Sequence, residues 1–204
     1  ARMGAARALL AQDRPQDARA LLTTLLSERP EDAGVHEWLG RSLDALDGMD
    51  EAIASMERAI ELEPSEYSHY VALAQLHHRH RHGELAGQVL DRALRQVEVT
   101  AEVRRLRGEV ELDRGRIPEA LLEFNRALAL DPEDRGALFG KGVSMRRMGR
   151  LGEAVTFYDR LGQVDPGYPG LALERGLIHE ARGRSDEAVA SYQRALLARP
   201  DDPN

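Results

Sequence analysis

Apolar and polar positions alternate along this chain at the spacing of amphipathic helices. In the segment 35–46, Leu39 and Leu43 lie four residues apart, which places both side chains on one face of a helix. Gly48 interrupts this pattern, and a second apolar run follows until Pro64 blocks its continuation. The pattern predicts a pair of helices joined by a tight turn.

The two-helix pattern recurs every 34 residues. Prolines mark the frame at Pro30, Pro64, Pro132, Pro166 and Pro200. One column is always alanine: Ala18, Ala52, Ala86, Ala120, Ala154 and Ala188. A second column is always small: Ala6, Gly40, Ala74, Gly108, Gly142 and Gly176. A third column is always large: Leu22, Met56, Leu90, Phe124, Tyr158 and Tyr192. The period indicates six repeats, at about 1–32, 33–66, 67–100, 101–134, 135–168 and 169–202.

The small and large columns have a meaning for packing. Where two helices cross closely, only glycine or alanine lets the backbones approach, and a large side chain fills the neighbouring groove. No repeat can bury its apolar face alone, so we expect the repeats to stack on one another.

The 34-residue period and these columns together resemble the tetratricopeptide repeat. The second repeat matches the family pattern at Leu39, Gly40, Ala52, Met56, Ala59 and Pro64, and the fourth at Gly108, Ala120, Phe124, Ala127 and Pro132. The resemblance implies an all-α fold, a right-handed α-solenoid or superhelix of antiparallel helix pairs. It covers almost the whole chain, so we expect residues 1–204 to form a single array. Because the chain begins at Ala1, we expect it to be a fragment of a longer protein.

The chain departs from the family pattern at two places in the repeat. The leucine before the small residue is replaced by Arg107, Lys141 and Arg175, whose alkyl stems can still pack. The last three repeats turn at Gly115, Gly149 and Gly183, whereas the first and third have Asp13-Arg14-Pro15 and Arg81-His82-Gly83.

Composition excludes several classes of function. With 42% hydrophobic, 31% charged and only 4% aromatic residues, the chain favours helices over sheets. Its net charge of −7 argues against nucleic acid as a partner. The absence of cysteine excludes thiol nucleophiles and thiolate metal sites. No apolar stretch is long enough to insert into a membrane, and we expect a cytoplasmic location, with the periplasm as the alternative.

The sequence contains no motif for catalysis or for a cofactor. A Gly-rich phosphate loop and a nucleophile elbow are both missing. The carboxylate pairs Glu31-Asp32, Glu133-Asp134 and Asp201-Asp202 recur after the proline column, which predicts that they cap the next helix. We therefore predict that the protein is not an enzyme and that it holds neither cofactor nor metal.

The segment 77–82 contains four histidines. It is interpreted as a polar helix end that faces water. Two alternatives are an adventitious metal site, because His78 and His82 are four residues apart, and a pH-sensitive edge of the binding surface.

The family's layout implies a concave groove lined by the first helix of each repeat. The predicted partner-binding residues are Trp38, Arg41, Gln75, His78, Arg79, Arg105, Glu109, Leu112, Phe139, Val143, Arg146 and Arg147. The rest of the predicted lining is Asp44, Val71, Leu106, Leu173 and Leu177. Apolar anchors flanked by arginines suit an extended peptide with a hydrophobic side chain and an acidic group. In the alternative interpretation the arginines are a solvated face, the apolar residues are packed, and Trp38 is a wall residue.

Three hypotheses for function remain open. The first is a bacterial interaction scaffold that binds a peptide or helix of an unidentified protein partner in the groove. The second is a docking or regulatory arm of a larger bacterial transferase or export protein. The third is self-assembly through the terminal helices, because a face with Val189, Tyr192 and Leu196 would lack a capping helix. Changing Arg105 to Glu together with Phe139 to Ala is expected to weaken partner binding and to leave melting nearly unchanged.

Overall fold

The computed structural model describes residues 2–198, and within this range the chain forms twelve α-helices and no strand. In chain order they are α1 (Arg2–Ala11), α2 (Pro15–Glu28), α3 (Ala33–Asp44), α4 (Met49–Leu62), α5 (Tyr67–Arg79), α6 (Gly83–Gln96), α7 (Ala101–Asp113), α8 (Ile117–Leu130), α9 (Arg135–Arg147), α10 (Leu151–Val164), α11 (Leu171–Ala181) and α12 (Ser185–Ala198). One pair of helices falls in each predicted repeat. The prediction of an all-α fold built from helix pairs is confirmed.

The helices gather into two compact units, which divide between Leu106 and Arg107 within α7. In unit 1, before this division, α1 packs on α2, α3 on α4 and α5 on α6. The first helices also meet there, since α1 contacts α3 and α3 contacts α5. In unit 2, after the division, α9 packs on α10, α11 packs on α12, and α9 contacts α11. The first helices of successive repeats therefore lie next to one another within each unit.

One left-handed residue forms the turn between the two helices of every repeat. These residues are Asp13, Asp47, Arg81, Gly115, Gly149 and Gly183, each 34 residues after the last. The N–H of the next residue donates to the carbonyl five residues back, as in the 2.8 Å bond from Arg116 to Glu111. This is the bonding of a Schellman motif, in which glycine is the usual left-handed residue. The glycines predicted for the last three repeats are confirmed, and aspartate or arginine takes the same place in the first three.

The small column faces the large column, as predicted. A β-carbon placed on Gly108 would lie 2.6 Å from Phe124 Cε1, and one placed on Gly140, which lies outside the small column, would lie equally close to the same atom. Tyr158 lies in the same way against Gly142, and Tyr192 against Gly176. Side chains at these glycines would overlap the rings, so the close approach of the helices requires glycine there.

Ala120 tests this packing because it is fully buried in the hydrophobic cluster of unit 2 beside Phe124. Changing Ala120 to Leu adds volume where none is free, so we expect the free energy of unfolding to fall by about 1–3 kcal/mol. The matched control is Ala129 to Leu, at an exposed position of the same helix. Urea denaturation of both variants measures the difference, and equal midpoints for the two would contradict the packing described here.

Two of the predicted helix caps are present. Asp32 Oδ1 accepts a hydrogen bond of 3.1 Å from the Val35 N–H at the start of α3. Asp134 Oδ1 accepts one of 2.7 Å from the Ala137 N–H at the start of α9. The third predicted pair, Asp201-Asp202, lies outside the described residues.

The basic residues that replace the family leucine are all half-buried. Lys141 Nζ lies 4.3 Å from the centre of the Phe157 ring. Arg175 Nη2 donates to the Tyr158 carbonyl oxygen over 3.1 Å. Their stems therefore pack while their charged ends find partners.

Candidate functional site

Side chains from α1, α3 and α5, the first helices of the first three repeats, meet around Trp38 in unit 1. They surround a depression of about 530 Å³, and we call it the Trp38 surface. Its lining consists of Leu10, Trp38, Arg41, Asp44, Ala45, Asp47, Arg79 and His80. Four of the predicted lining residues, Trp38, Arg41, Asp44 and Arg79, are thus brought together by α3 and α5.

The Trp38 ring is half-buried and is contacted by two cations. The guanidinium carbons of Arg7, from α1, and Arg41, from α3, each lie 4.9 Å from the ring centre. Such cation–π contacts contribute about 0.5–1 kcal/mol each at exposed sites, and they limit the rotation of the ring. The ring is therefore held in place by its neighbours in unit 1.

The charges around Trp38 are only partly paired. Asp44 is bound by Arg79 and lies 2.8 Å from His80 Nε2. Arg41 Nε donates to Glu37 over 2.9 Å. Arg7 makes no ion pair with any residue from 2 to 198.

A buried ion cluster lies beneath Arg41. Glu37 is only 5% exposed, and its second oxygen, Oε2, lies 2.7 Å from His69 Nδ1 and 3.3 Å from the Ser68 hydroxyl. His69 is buried as well, and its Nε2 lies 3.5 Å from Glu63. Sequence reasoning missed this cluster, although His69 stands in a column that is apolar in all five other repeats, at Ala1, Val35, Val103, Ala137 and Leu171. A polar residue in an otherwise apolar column was the available signal.

The cluster shifts the pKa of both of its ionised members. Burial disfavours the charge of Glu37, but hydrogen bonds and charges from His69 and Arg41 outweigh it, so the pKa of Glu37 lies below its ordinary value. Burial likewise disfavours protonated His69, and the bond to Glu37 outweighs it, so the pKa of His69 is raised. Both shifts therefore favour the charged form of the group in the folded protein.

These shifts predict a dependence of stability on pH. His69 binds its proton more tightly when folded, so its contribution is complete below its ordinary pKa of 6.5 and is lost as the pH rises through the raised pKa. Glu37 contributes above its ordinary pKa of 4.5, and that contribution is lost as the pH falls through the lowered pKa. The excess stability of the wild type over a His69 to Gln variant should therefore be largest between pH 4.5 and 6.5.

Urea unfolding of both proteins across pH measures this excess stability. An NMR titration of the His69 ring protons shows whether the pH dependence comes from protonation of His69. An excess that stays constant as the pH rises above 6.5 would show that the pair does not form. The pKa of His77 is lowered by burial and by His82 and His80, so its effect on stability has the opposite dependence on pH. His77 is present in both proteins, so its effect cancels in the difference between them.

In unit 2, the predicted groove residues belong mostly to internal packing. Phe139 is half-buried, with its ring centre 5.2 Å from Tyr168 and 6.0 Å from Tyr158. Arg146 is held by Glu174, and Arg147 Nη1 donates to the Leu112 carbonyl over 3.1 Å. We therefore expect Phe139 to Ala to lower the melting temperature, in contrast to the expectation from sequence, because it removes a ring from this cluster.

The remaining predicted residues differ in exposure. Gln75, His78, Arg105 and Glu109 are half-buried, and Arg105 lies 3.7 Å from Glu102. The buried ones are Val71, Leu106, Leu112 and Val143, which offer little surface to a partner. Leu173 is exposed and Leu177 half-buried on α11.

The histidine segment is not simply a water-facing helix end. His77 is buried, and its ring centre lies 6.2 Å from that of His82, which precedes α6. Across residues 2–198, no group of three or more histidine, aspartate or glutamate side chains is arranged to hold a metal ion. None of the helices in this range is long and apolar enough to cross a membrane.

The sequence profile of the tetratricopeptide repeat family matches five overlapping segments of the chain. They are residues 3–65, 40–98, 71–135, 105–169 and 163–203. A comparison with curated proteins gives no match.

Solved structures share the fold at low sequence identity. PilW, described as a widely conserved type IV pilus biogenesis factor, is 16% identical with a TM-score of 0.82, and the match covers 99% of this chain and 94% of PilW. Pseudomonas aeruginosa PilF is 15% identical with a TM-score of 0.79, covering 98% of this chain and 91% of PilF. YrrB, described as a TPR protein with an unusual peptide-binding site, is 22% identical with a TM-score of 0.62, covering 88% and 93%. Likeness at these identities shows a common helical-repeat fold and nothing about partners.

Proposed function

This chain belongs to the tetratricopeptide repeat family, and from that premise we propose that it is a non-catalytic scaffold that binds a segment of a protein partner on the Trp38 surface. The observation that carries the proposal is the half-buried Trp38 ring, fixed between Arg7 and Arg41 beside a depression on three first helices. Tryptophan and arginine are the residues most enriched at binding hot spots.

The chemistry of the Trp38 surface indicates the kind of segment that fits. Leu10 and Trp38 supply apolar area, which favours an aliphatic or aromatic side chain of the partner. Arg7 supplies an unpaired cation, within the described residues, that favours a carboxylate next to that side chain. Asp44 is neutralised by Arg79, so it does not repel such a carboxylate strongly. An extended peptide with a hydrophobic and an acidic side chain satisfies these features.

The absence of catalysis is supported by the state of the polar groups near Trp38. Glu37, His69 and Asp44 are each engaged in ion pairs inside unit 1. A general acid or base needs an open position toward a substrate, and these groups instead position Arg41 and Arg79.

Capture of proteins from lysate of the source organism tests the proposal. Three baits are compared. They are the wild type, a double variant with Arg7→Glu and Trp38→Ala, and a control double variant with Leu85→Ala and Arg95→Glu. Leu85 and Arg95 are two exposed positions of α6. A partner should be retained by the wild type and the control, and should bind the Arg7/Trp38 variant at least about tenfold more weakly, since a tryptophan hot spot contributes about 2 kcal/mol or more. Circular dichroism verifies that both variants keep their helices. Equal retention by all three baits would move the site away from Trp38.

Self-association is a second candidate, favoured by α12. Val189, Leu196 and Leu197 are 55%, 64% and 81% exposed there. Tyr192, predicted to share this face, instead packs on Gly176 and donates its hydroxyl to Glu180 over 2.6 Å. Sedimentation across a wide range of concentration tests for self-association, and a double variant with Leu196→Glu and Leu197→Glu is the control. A wild type that stays monomeric would exclude self-association.

A further inference from the structure

A cleft lies in unit 2 between α10, α11 and α12, apart from the Trp38 surface. Its volume is about 430 Å³, within the range of sites that hold small ligands or a few residues of peptide. The polar lining includes Arg175, His179, Arg182, Arg184, Ser191 and Arg194. Val155, Ile178 and Ala190 supply apolar surface.

The cleft carries a surplus of positive charge in a chain whose net charge is −7. Four arginines line it against two carboxylates, Asp159 and Glu187. Arg175 is engaged, since its Nη2 lies 2.9 Å from Asp159 Oδ1. Arg182, Arg184 and Arg194 are exposed, and within residues 2–198 they form no ion pair. Three guanidinium groups therefore face the cleft without an acidic partner in the described part of the chain.

One further polar group of the cleft lacks a hydrogen bond. His179 Nδ1 is buried and has no partner in the described structure. Ser191, which also lines the cleft, is only 4% exposed. A buried polar atom without a partner is uncommon and costs about 1–3 kcal/mol, which a ligand that hydrogen-bonds to the imidazole would offset.

We propose that this cleft is a second binding site and that it takes an acidic peptide segment, with carboxylates on the arginines and aliphatic side chains on the apolar surface. Arginine recognises carboxylates through paired hydrogen bonds, and three arginines, two in the turn between α11 and α12 and one on α12, suit successive side chains of an extended chain. The overall negative charge of the protein repels a long polyanion such as nucleic acid, whereas a short acidic segment is attracted by the local surplus. No residue is shared with the Trp38 surface, so either site can exist without the other.

Binding of a short fluorescent peptide of alternating glutamate and alanine tests the proposal, with the glutamine-and-alanine peptide as the neutral control. Fluorescence anisotropy at low ionic strength measures the affinity for each peptide of the wild type and of two double variants. One double variant carries Arg182→Glu and Arg184→Glu, and the other carries Arg19→Glu and Arg95→Glu. The last changes the net charge equally, at two exposed arginines of α2 and α6 that form no ion pair with described residues. Because Arg182 and Arg184 flank a turn, a milder Arg194 to Gln variant is measured as well.

We expect the glutamate peptide to bind the wild type, and the Arg182/Arg184 variant at least about tenfold more weakly, with the Arg19/Arg95 control close to the wild type. The neutral peptide should bind at least about tenfold more weakly than the acidic one, and Arg194 to Gln should lower affinity severalfold. In NMR spectra of the wild type, the acidic peptide should shift the resonances of His179 and Ser191.

Three results would overturn the proposal. One is equal loss of affinity in the two charge-reversed variants, which would mean that only net charge matters. Another is peptide binding that leaves the His179 and Ser191 resonances unmoved. The third is binding of inorganic phosphate or of a short oligonucleotide in this cleft without binding of the acidic peptide.

Discussion

Truncation of Phe124 to alanine is expected to lower the free energy of unfolding by about 3–5 kcal/mol, the usual cost of removing a buried ring. Phe124 is fully buried, and Gly108 and Gly140, which lie against its ring, have no side chains that could fill the cavity. The loss should appear as a lower midpoint of urea unfolding followed by circular dichroism.

The effect of a second substitution, Gly140 to Ala, on the free energy of unfolding should change sign when Phe124 is removed. In the wild type, Gly140 to Ala should destabilise because the new β-carbon would lie 2.6 Å from Phe124 Cε1. In the Phe124 to Ala background the same change should stabilise by about 1 kcal/mol, since the ring is gone and alanine is the better helix former. Additive effects in the double variant would contradict the packing of Gly140 on Phe124.

Loss of Arg146 should cost about 3–5 kcal/mol, because it leaves a buried carboxylate without its cation. Glu174 is buried, and it accepts bonds of 2.5 Å and 3.1 Å from Arg146 and one of 2.7 Å from the Tyr158 hydroxyl. In an Arg146 to Ala variant the remaining Tyr158 hydroxyl cannot neutralise the charge. Thermal and urea unfolding measure the cost.

Two comparisons identify the cause of the Arg146 effect. The exposed pair of Arg135 and Asp165, at 3.1 Å, should contribute less than about 1 kcal/mol, so Arg135 to Ala is the matched control. Adding Glu174 to Gln to the Arg146 to Ala variant should recover part of the loss, with a coupling energy of about 0.5–3 kcal/mol. If Arg146 to Ala and Arg135 to Ala cost the same, the Glu174 pair is not buried as described.

Much of the fold follows from the sequence because its determinants are local and periodic. The 34-residue frame predicts both helices of each repeat and the contact of Gly108 with Phe124, since these depend on helical spacing and residue size. The turns at Asp13, Asp47 and Arg81 were less evident. Aspartate adopts the left-handed conformation with modest strain, and arginine carries no signal for it, so only the position in the repeat marks them.

The Trp38 surface was predictable only in part. The frame places Trp38, Arg41 and Arg79 on first helices, and the structure brings them together. The ion pairs of Glu37 with His69 and of Arg146 with Glu174 join different repeats, and side-chain rotamers decide them, so helical spacing could not show them. A small rotation of a helix about its axis also decides which of two neighbouring columns is buried. This is why Leu112 and Val143 are buried although they were predicted to line the groove.

The most direct test of the account is fluorine NMR of the Trp38 ring. Trp38 is the only tryptophan of the chain, so incorporation of fluorotryptophan labels this one position. Titration with a protein captured by the wild type should shift the single resonance with the dissociation constant found by calorimetry, and the Arg7 to Glu substitution should weaken both alike. A partner that binds by calorimetry and leaves the resonance unmoved would contradict the claim that the Trp38 surface is the binding site.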